Sequence, residues 1–116
     1  MTYSHFGIFE QLRAALDERP TRTLSEVAYR LHVHRHTAAT AVRVSTGDGF
    51  RAWRDHGLFE RAAGLLRTHH DLSIKEISAR LGFSSTRSFD RFIKRYSGLS
   101  PTQIRLTDLD RSSLAE

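Results

Sequence analysis

Apolar residues recur along most of this chain at spacings of three and four, the period of a helix rather than of a strand. In FGIFEQLRAALDER, residues Ile8, Leu12, Ala15 and Leu16 fall on one helical face, and Pro20 should stop that helix at or before Arg19. In TLSEVAYRL, Leu24, Val27, Ala28 and Leu31 repeat the spacing. Thr23 is placed to cap that helix and Glu26 to reach back to it, the reciprocal pair of a capping box. Leu58, Ala62, Leu65 and Leu66 form a stripe that predicts one long helix over 50–68. Gly57 and Gly64 fall inside it, each at a cost of about 1 kcal/mol relative to alanine. In STRSFDRFIKRYSG, Phe89 and Ile93 face inward with Phe92 and Tyr96 beside them, and Gly98 ends the helix. SPTQIRL starts a short last helix, with Ser100 as cap, Pro101 at its first position and Gln103 completing a box. Strand signals are nearly absent, so the fold class is all-α.

The helical pattern repeats. LSIKEISARL carries Ser73 and Glu76 as a second capping box, and Ile77, Ser78 and Leu81 stand fifty residues after Val27, Ala28 and Leu31. Each of these short helices is followed by a tight turn and a second, basic helix. In the second copy the turn is LGFSS, where Gly82 can take a left-handed conformation and Ser84 or Ser85 can cap the next helix. A short helix with a small residue near its middle, a glycine turn and a second helix make a helix-turn-helix. The expected organisation is a first such subdomain over 1–49, a linker helix over 50–68, a second subdomain over 69–106 and a flexible acidic tail over 107–116.

Charge sharpens this picture. The chain has 116 residues and a net charge of +5, with a pI near 10.4. Residues 30–54 hold five basic side chains against one acidic, and residues 80–105 hold six against one, while the segments around them are slightly acidic. The positive charge therefore sits in two blocks about fifty residues apart, each containing one copy of the basic helix. A basic small domain points to a polyanionic partner, most often nucleic acid. No apolar run approaches the roughly 18–20 residues of a membrane span, and the N-terminus has no basic stretch followed by an apolar one, so neither a membrane protein nor a secreted one is expected. There is no cysteine. That removes disulfides, Cys-ligated metals and thiol nucleophiles, and it suits a reducing cytoplasm.

With Phe89 and Ile93 buried, the opposite stripe of the second basic helix is Thr86, Arg87, Asp90, Arg91 and Lys94. The major groove of DNA is wide enough to admit a helix, arginine can donate two hydrogen bonds to guanine, and threonine can bond a base edge or pack on a thymine methyl. Lys94 and Arg95 lie toward the helix end and suit phosphates, which add affinity without sequence information. Asp90 is out of place in this company. It can accept from cytosine N4 or pair with Arg87 or Lys94 along the helix, and the pairing is the preferred reading.

The segment LSIKEISARLGFSSTRSFDRFIKRYSGLSPTQIR resembles the C-terminal signature of AraC/XylS-type transcriptional regulators. The match runs through Ile77-Ser78, Gly82-Phe83-Ser84-Ser85, Phe89, Ile93-Lys94, Gly98, Ser100-Pro101 and Ile104-Arg105, and the wider likeness covers roughly residues 7–106. The resemblance implies about seven helices in two helix-turn-helix subdomains joined by a long helix. Recognition helices at about 35–45 and 85–96 would enter successive major-groove faces of an asymmetric site, about one turn or roughly 34 Å apart. Carried over by position, the base-contact residues would be Arg35, His36, Ala39 and Thr40 in the first unit and Thr86, Arg87 and Arg91 in the second. The phosphate contacts would be Arg43, Ser85, Lys94, Arg95 and Arg105. The first unit departs from the family: His32 replaces the usual turn glycine, Ala38 and Val42 replace bulkier residues, and Leu58 stands where an early linker arginine is common. The chain resembles the stand-alone members, a reading that Met1 also favours, and a monomer on double-stranded DNA is expected.

Three other functions compete. His32, His34 and His36 could form a metal-responsive sensor. They cross a turn into a helix, however, and read better as a turn residue, a helix-start residue and a DNA-contact residue, so no metal and no cofactor are expected. An enzyme is not expected: alkyl-transfer proteins that carry AraC-like modules need a thiolate, and no nucleophile–base pair or carboxylate site stands out. An adaptor that recruits RNA polymerase is compatible with DNA binding.

Overall fold

The computed structural model describes the backbone of residues 4–114 and the side chains of residues 4–107. Seven α-helices follow in order: α1 (His5–Glu18), α2 (Leu24–Leu31), α3 (Arg35–Thr46), α4 (Phe50–Thr68), α5 (Ile74–Leu81), α6 (Thr86–Ser97) and α7 (Pro101–Leu114). Among the described residues there is no strand and no helix long and apolar enough to cross a membrane. The chain forms two compact units, Met1–Gly57 and Leu58–Glu116. Helix α4 is one continuous helix, but it contributes Phe50 and Trp53 to the first core and Leu58, Ala62, Ala63 and Leu66 to the second.

In the first unit Ile8, Leu12 and Leu16 of α1 meet Val27 and Ala28 of α2 and Ala38, Ala41 and Val42 of α3. The three α3 residues are small, and larger side chains complete the core. Leu12, Phe50 and Trp53 stand where the repeat of the second unit has Ala62, Pro101 and Ile104. Trp53 packs on Phe9 and Phe50 at ring separations of 5.1 and 5.9 Å. In the second unit the aromatics lie on the basic helix itself. Phe89 is fully buried against Phe83, 5.2 Å away edge-on, with Phe92 and Ile93 beside it. Leu58, Ala62, Leu66, Ile77 and Ile104 surround this group. Among the described residues its one buried polar side chain, Ser78, is satisfied: its hydroxyl donates to the Ser85 carbonyl at 3.2 Å, which ties α5 to the start of α6.

The turns explain the repeat at atomic scale. In both units the residue after the first helix is left-handed, His32 at φ 56° and Gly82 at φ 96°. Val33 N–H donates to the Ala28 carbonyl and Phe83 N–H to the Ser78 carbonyl, each at 3.1 Å, the closing bond of a Schellman motif. The second turn is one residue longer, so the offset between units grows from fifty before the turn to fifty-one after it. His32 is the only described residue other than glycine with positive φ. A left-handed conformation costs an L-residue roughly 1–2 kcal/mol, partly offset by the extra unfolded-state freedom of glycine. His32→Gly should therefore stabilise the chain by about 1 kcal/mol, read as a raised urea midpoint with an unchanged slope.

The structure differs from the sequence pattern in two details. The capping box holds at Thr23–Glu26 and at Ser100–Gln103, but at Ser73 only half of it forms: Ser73 Oγ accepts from Glu76 N–H, and the Glu76 carboxylate does not reach back. Helix α7 runs to Leu114, well past the short helix that SPTQIRL suggests. Of the expected acidic tail, the side chains from residue 108 and all of residues 115–116 lie outside the described residues.

Two arginines then close the units. Arg105 of α7 donates through Nε to the Leu66 carbonyl at 3.2 Å, and through Nη2 to the carbonyls of His69 and Leu72 at 3.3 and 2.8 Å. The guanidinium thus ties α7 to the last turn of α4, where the Leu66 carbonyl is one of the four without a helical partner, and to the turn that follows it. Fifty-one residues earlier, Arg54 reaches the Arg22 carbonyl at 3.4 Å while holding Asp55 at 2.7 Å, and Arg22 in turn caps the Ala15 carbonyl of α1 at 2.7 Å.

Candidate nucleic-acid interface

Helices α3 and α6 carry every base-contact residue expected from the sequence, and each helix is seated by the same three-residue pattern. Ala38, Ala41 and Val42 anchor α3; Phe89, Phe92 and Ile93 anchor α6. At 100° per residue this turns His36, Thr40 and Arg43 outward on α3, with Arg35 and Ala39 along one flank, and Arg87, Arg91 and Lys94 outward on α6, with Thr86 and Asp90 along the matching flank. The observed spans, Arg35–Thr46 and Thr86–Ser97, sit within a residue of the expected ones.

The start of each helix is fixed by a side chain. Ser85 is the cap of α6, its Oγ accepting from Ser88 N–H at 3.1 Å; Ser84 is not used. His34 caps α3 in an unusual way: its Nδ1 accepts from His36 N–H at 3.0 Å. The three histidines therefore have three separate positions. His32 holds the left-handed turn, His34 the cap and His36 the exposed first turn of α3. Among the described residues no three or more of His, Cys, Asp or Glu come together as a group that could hold a metal ion.

The two faces differ in chemistry. On α6, Arg87, Asp90, Arg91, Lys94 and Arg95 are exposed, Thr86 is half-buried, and none of the five charged side chains makes a hydrogen bond or ion pair. The pairing of Asp90 with Arg87 or Lys94 preferred from the sequence is therefore absent. The face offers four uncommitted cations around one uncommitted carboxylate. On α3, Arg35 leans back onto Ser25 of α2, Nη1 to Oγ at 3.4 Å, and the Thr40 hydroxyl is spent on the His36 carbonyl at 2.9 Å. Leu24, His34, Arg35, His36 and Ala39 line a depression of about 490 Å³ there. Arg43 is exposed at the far end of this face. The first face is thus less charged and partly self-satisfied.

Arg105, expected among the phosphate contacts, spends its Nε and both Nη2 protons on the carbonyl clamp between α7 and the end of α4. The sequence reading missed this role, and it missed the matching role of Arg54. A signal was available: the two arginines stand fifty-one residues apart, at equivalent places in the repeat.

Comparison with known proteins agrees with this geometry. A family model described as a helix-turn-helix domain matches residues 27–107. An uncharacterized HTH-type transcriptional regulator of Escherichia coli K12, YijO, is 27% identical over 101 residues; the match takes in 85% of this chain and 35% of that protein. The chain thus spans about a third of the length of that curated relative. The DNA-binding domain of AdpA, a global transcriptional factor solved in complex with a target DNA, superposes with a TM-score of 0.75 at 27% identity, covering 90% of this chain and 94% of that one. The C-terminal domain of AraT, a response regulator from Geobacillus stearothermophilus, superposes with a TM-score of 0.74 at 28% identity, covering 86% and 84%. The helix order, the two turns and the matched span together place the chain in the AraC-type helix-turn-helix family.

Proposed function

We propose that this protein is a sequence-specific transcriptional regulator that binds double-stranded DNA, with α6 and α3 as its two reading helices. The observation that carries this is the outward face of α6: Arg87, Arg91, Lys94 and Arg95 are exposed and unpaired on a helix held rigidly by Phe89, Phe92 and Ile93. A fixed helix with free guanidinium groups suits the guanine edge of the major groove, and its terminal lysine and arginine suit phosphates. The bound DNA of the AdpA domain supports the same partner here. Base contacts are assigned to Thr86, Arg87 and Arg91 on α6 and to Arg35, His36, Ala39 and Thr40 on α3. Phosphate contacts are assigned to Lys94, Arg95, Arg43 and the Ser85 end of α6. The same reading makes the protein cytoplasmic and a monomer on DNA, with RNA polymerase as a candidate second partner.

Selection of bound duplexes from a random pool tests this reading. Two preferred blocks about ten base pairs apart are expected, since two reading helices on one side of DNA are spaced by one turn. The block read by α6 should be the sharper, because α3 offers fewer uncommitted donors. Recovery of no preferred sequence would overturn sequence-specific reading, and a single block would withdraw it from α3.

A further inference from the structure

We infer that Asp90 is a base-selecting residue that accepts a hydrogen bond from cytosine N4 in the site read by α6; this rests on the reading that α6 enters the major groove. Asp90 is exposed, four residues before Lys94 and three after Arg87, and it pairs with neither. Residues three and four apart do pair elsewhere in the chain, Arg13 with Glu10 at 3.1 Å on α1 and Arg22, beyond the end of α1, with Glu18 at 3.2 Å. Asp90 is therefore a free carboxylate on a face whose other four charges are cations.

An ionised carboxylate there opposes binding to any phosphate backbone, so on affinity alone it is a defect. Its chemistry makes it a selector. A carboxylate has acceptors only. Guanine presents N7 and O6, both acceptors, and thymine presents O4 and a methyl group, so each leaves the carboxylate without a donor and repelled. Adenine offers N6–H beside the repelling N7. Cytosine alone offers a donor, N4–H, with no adjacent acceptor in the groove. The opposing guanine of that pair presents O6 and N7 to a neighbouring arginine, and Arg87 and Arg91 flank Asp90 on the same face. A C·G pair thus satisfies the acid and a flanking base together. Specificity of this kind comes from rejecting wrong partners as much as from binding the right one. In α3 the equivalent position is Ala39, so the device belongs to the second unit.

The test is random-pool selection with the wild type, Asp90→Ala and Asp90→Asn, joined to titration of a random duplex. Far-ultraviolet circular dichroism should show unchanged helix content, since the residue is exposed and unpaired. In the wild type, one position of the α6 block should be cytosine on one strand. Asp90→Ala should flatten that position about ten- to hundredfold, leave the other positions sharp, and bind random duplex a few-fold more tightly. Asp90→Asn should move the preference toward adenine, which asparagine can engage at N6 and N7. An unchanged preferred sequence in Asp90→Ala, with affinity rising equally for every duplex, would overturn the selecting role while leaving the major-groove reading intact. Absence of an α6 block in the wild type would overturn both.

Discussion

Replacing Phe89 by alanine should cost about 3–5 kcal/mol of stability, measured by urea unfolding of the whole chain. The ring is fully buried and is the central anchor of α6, edge-on to Phe83 at 5.2 Å and among Leu58, Leu66, Ile77 and Ile104. Truncation removes the transfer energy of the ring and leaves a cavity that rigid helices cannot close. A unit of this size has a total stability on the order of 3–9 kcal/mol by the usual per-residue scale, so the loss is comparable to the whole. Phe89→Leu should cost less, because most of the volume stays. A cost below about 1 kcal/mol for the alanine variant would contradict the seating of α6 on this ring. The consequence for function is direct: the same ring that stabilises the second unit aims Arg87 and Arg91 outward.

Much of this fold is legible in the sequence because burial and periodicity coincide. Val27 and Ala28 in α2, Ile77 and Leu81 in α5, and Phe89 and Ile93 in α6 are apolar, spaced for a helix and buried. The turns are legible where a local rule decides them, as at Gly82 and Gly98. The double service of α4 is not. Its apolar positions continue without a break, and periodicity along one helix does not say that two cores divide it near Gly57. The small residues of α3 are likewise ambiguous in isolation. They read as weak packing until Trp53 and Phe50 are seen to complete the same core.

The candidate interface was legible in its location and less so in its bonding. A helical face is set by geometry, so Arg87, Arg91 and Lys94 could be assigned outward from the placement of Phe89 and Ile93. Hydrogen-bond partners depend on where other segments pass. Arg105 looks like any cation near a helix start, and only the fold brings the carbonyls of Leu66, His69 and Leu72 to its guanidinium. Asp90 shows the opposite error. Its spacing from Arg87 and Lys94 is right for pairing, yet surface pairs of this kind gain only about 0.2–0.5 kcal/mol, too little to dictate a rotamer. His34 is a cap that residue preferences do not anticipate, since Ser, Thr, Asn and Asp lead at that position.

The double variant Arg87→Ala/Arg91→Ala should weaken binding to the selected site by about 2–6 kcal/mol, if each guanidinium contributes the 1–3 kcal/mol typical of a bidentate base contact. The residues are one turn apart on α6, so the two losses need not add, and the single variants are needed to measure their coupling. Stability should change by less than about 0.5 kcal/mol, because neither side chain is buried or paired and no partner is left unsatisfied. The informative control is Lys94→Ala/Arg95→Ala. If Lys94 and Arg95 each contact a phosphate, removing both should weaken selected and random duplexes alike and lower the salt slope by about 1.8, close to 0.9 for each lost contact. The arginine pair should instead lose far more on the selected duplex than on the random one. Equal losses on both duplexes would make Arg87 and Arg91 backbone contacts, and α6 would then be a phosphate-binding helix rather than a reader of bases. A difference of about thirtyfold or more between the two duplexes, the equivalent of about 2 kcal/mol, is what direct contact with base edges requires, because phosphates are the same in every sequence and only the groove is not.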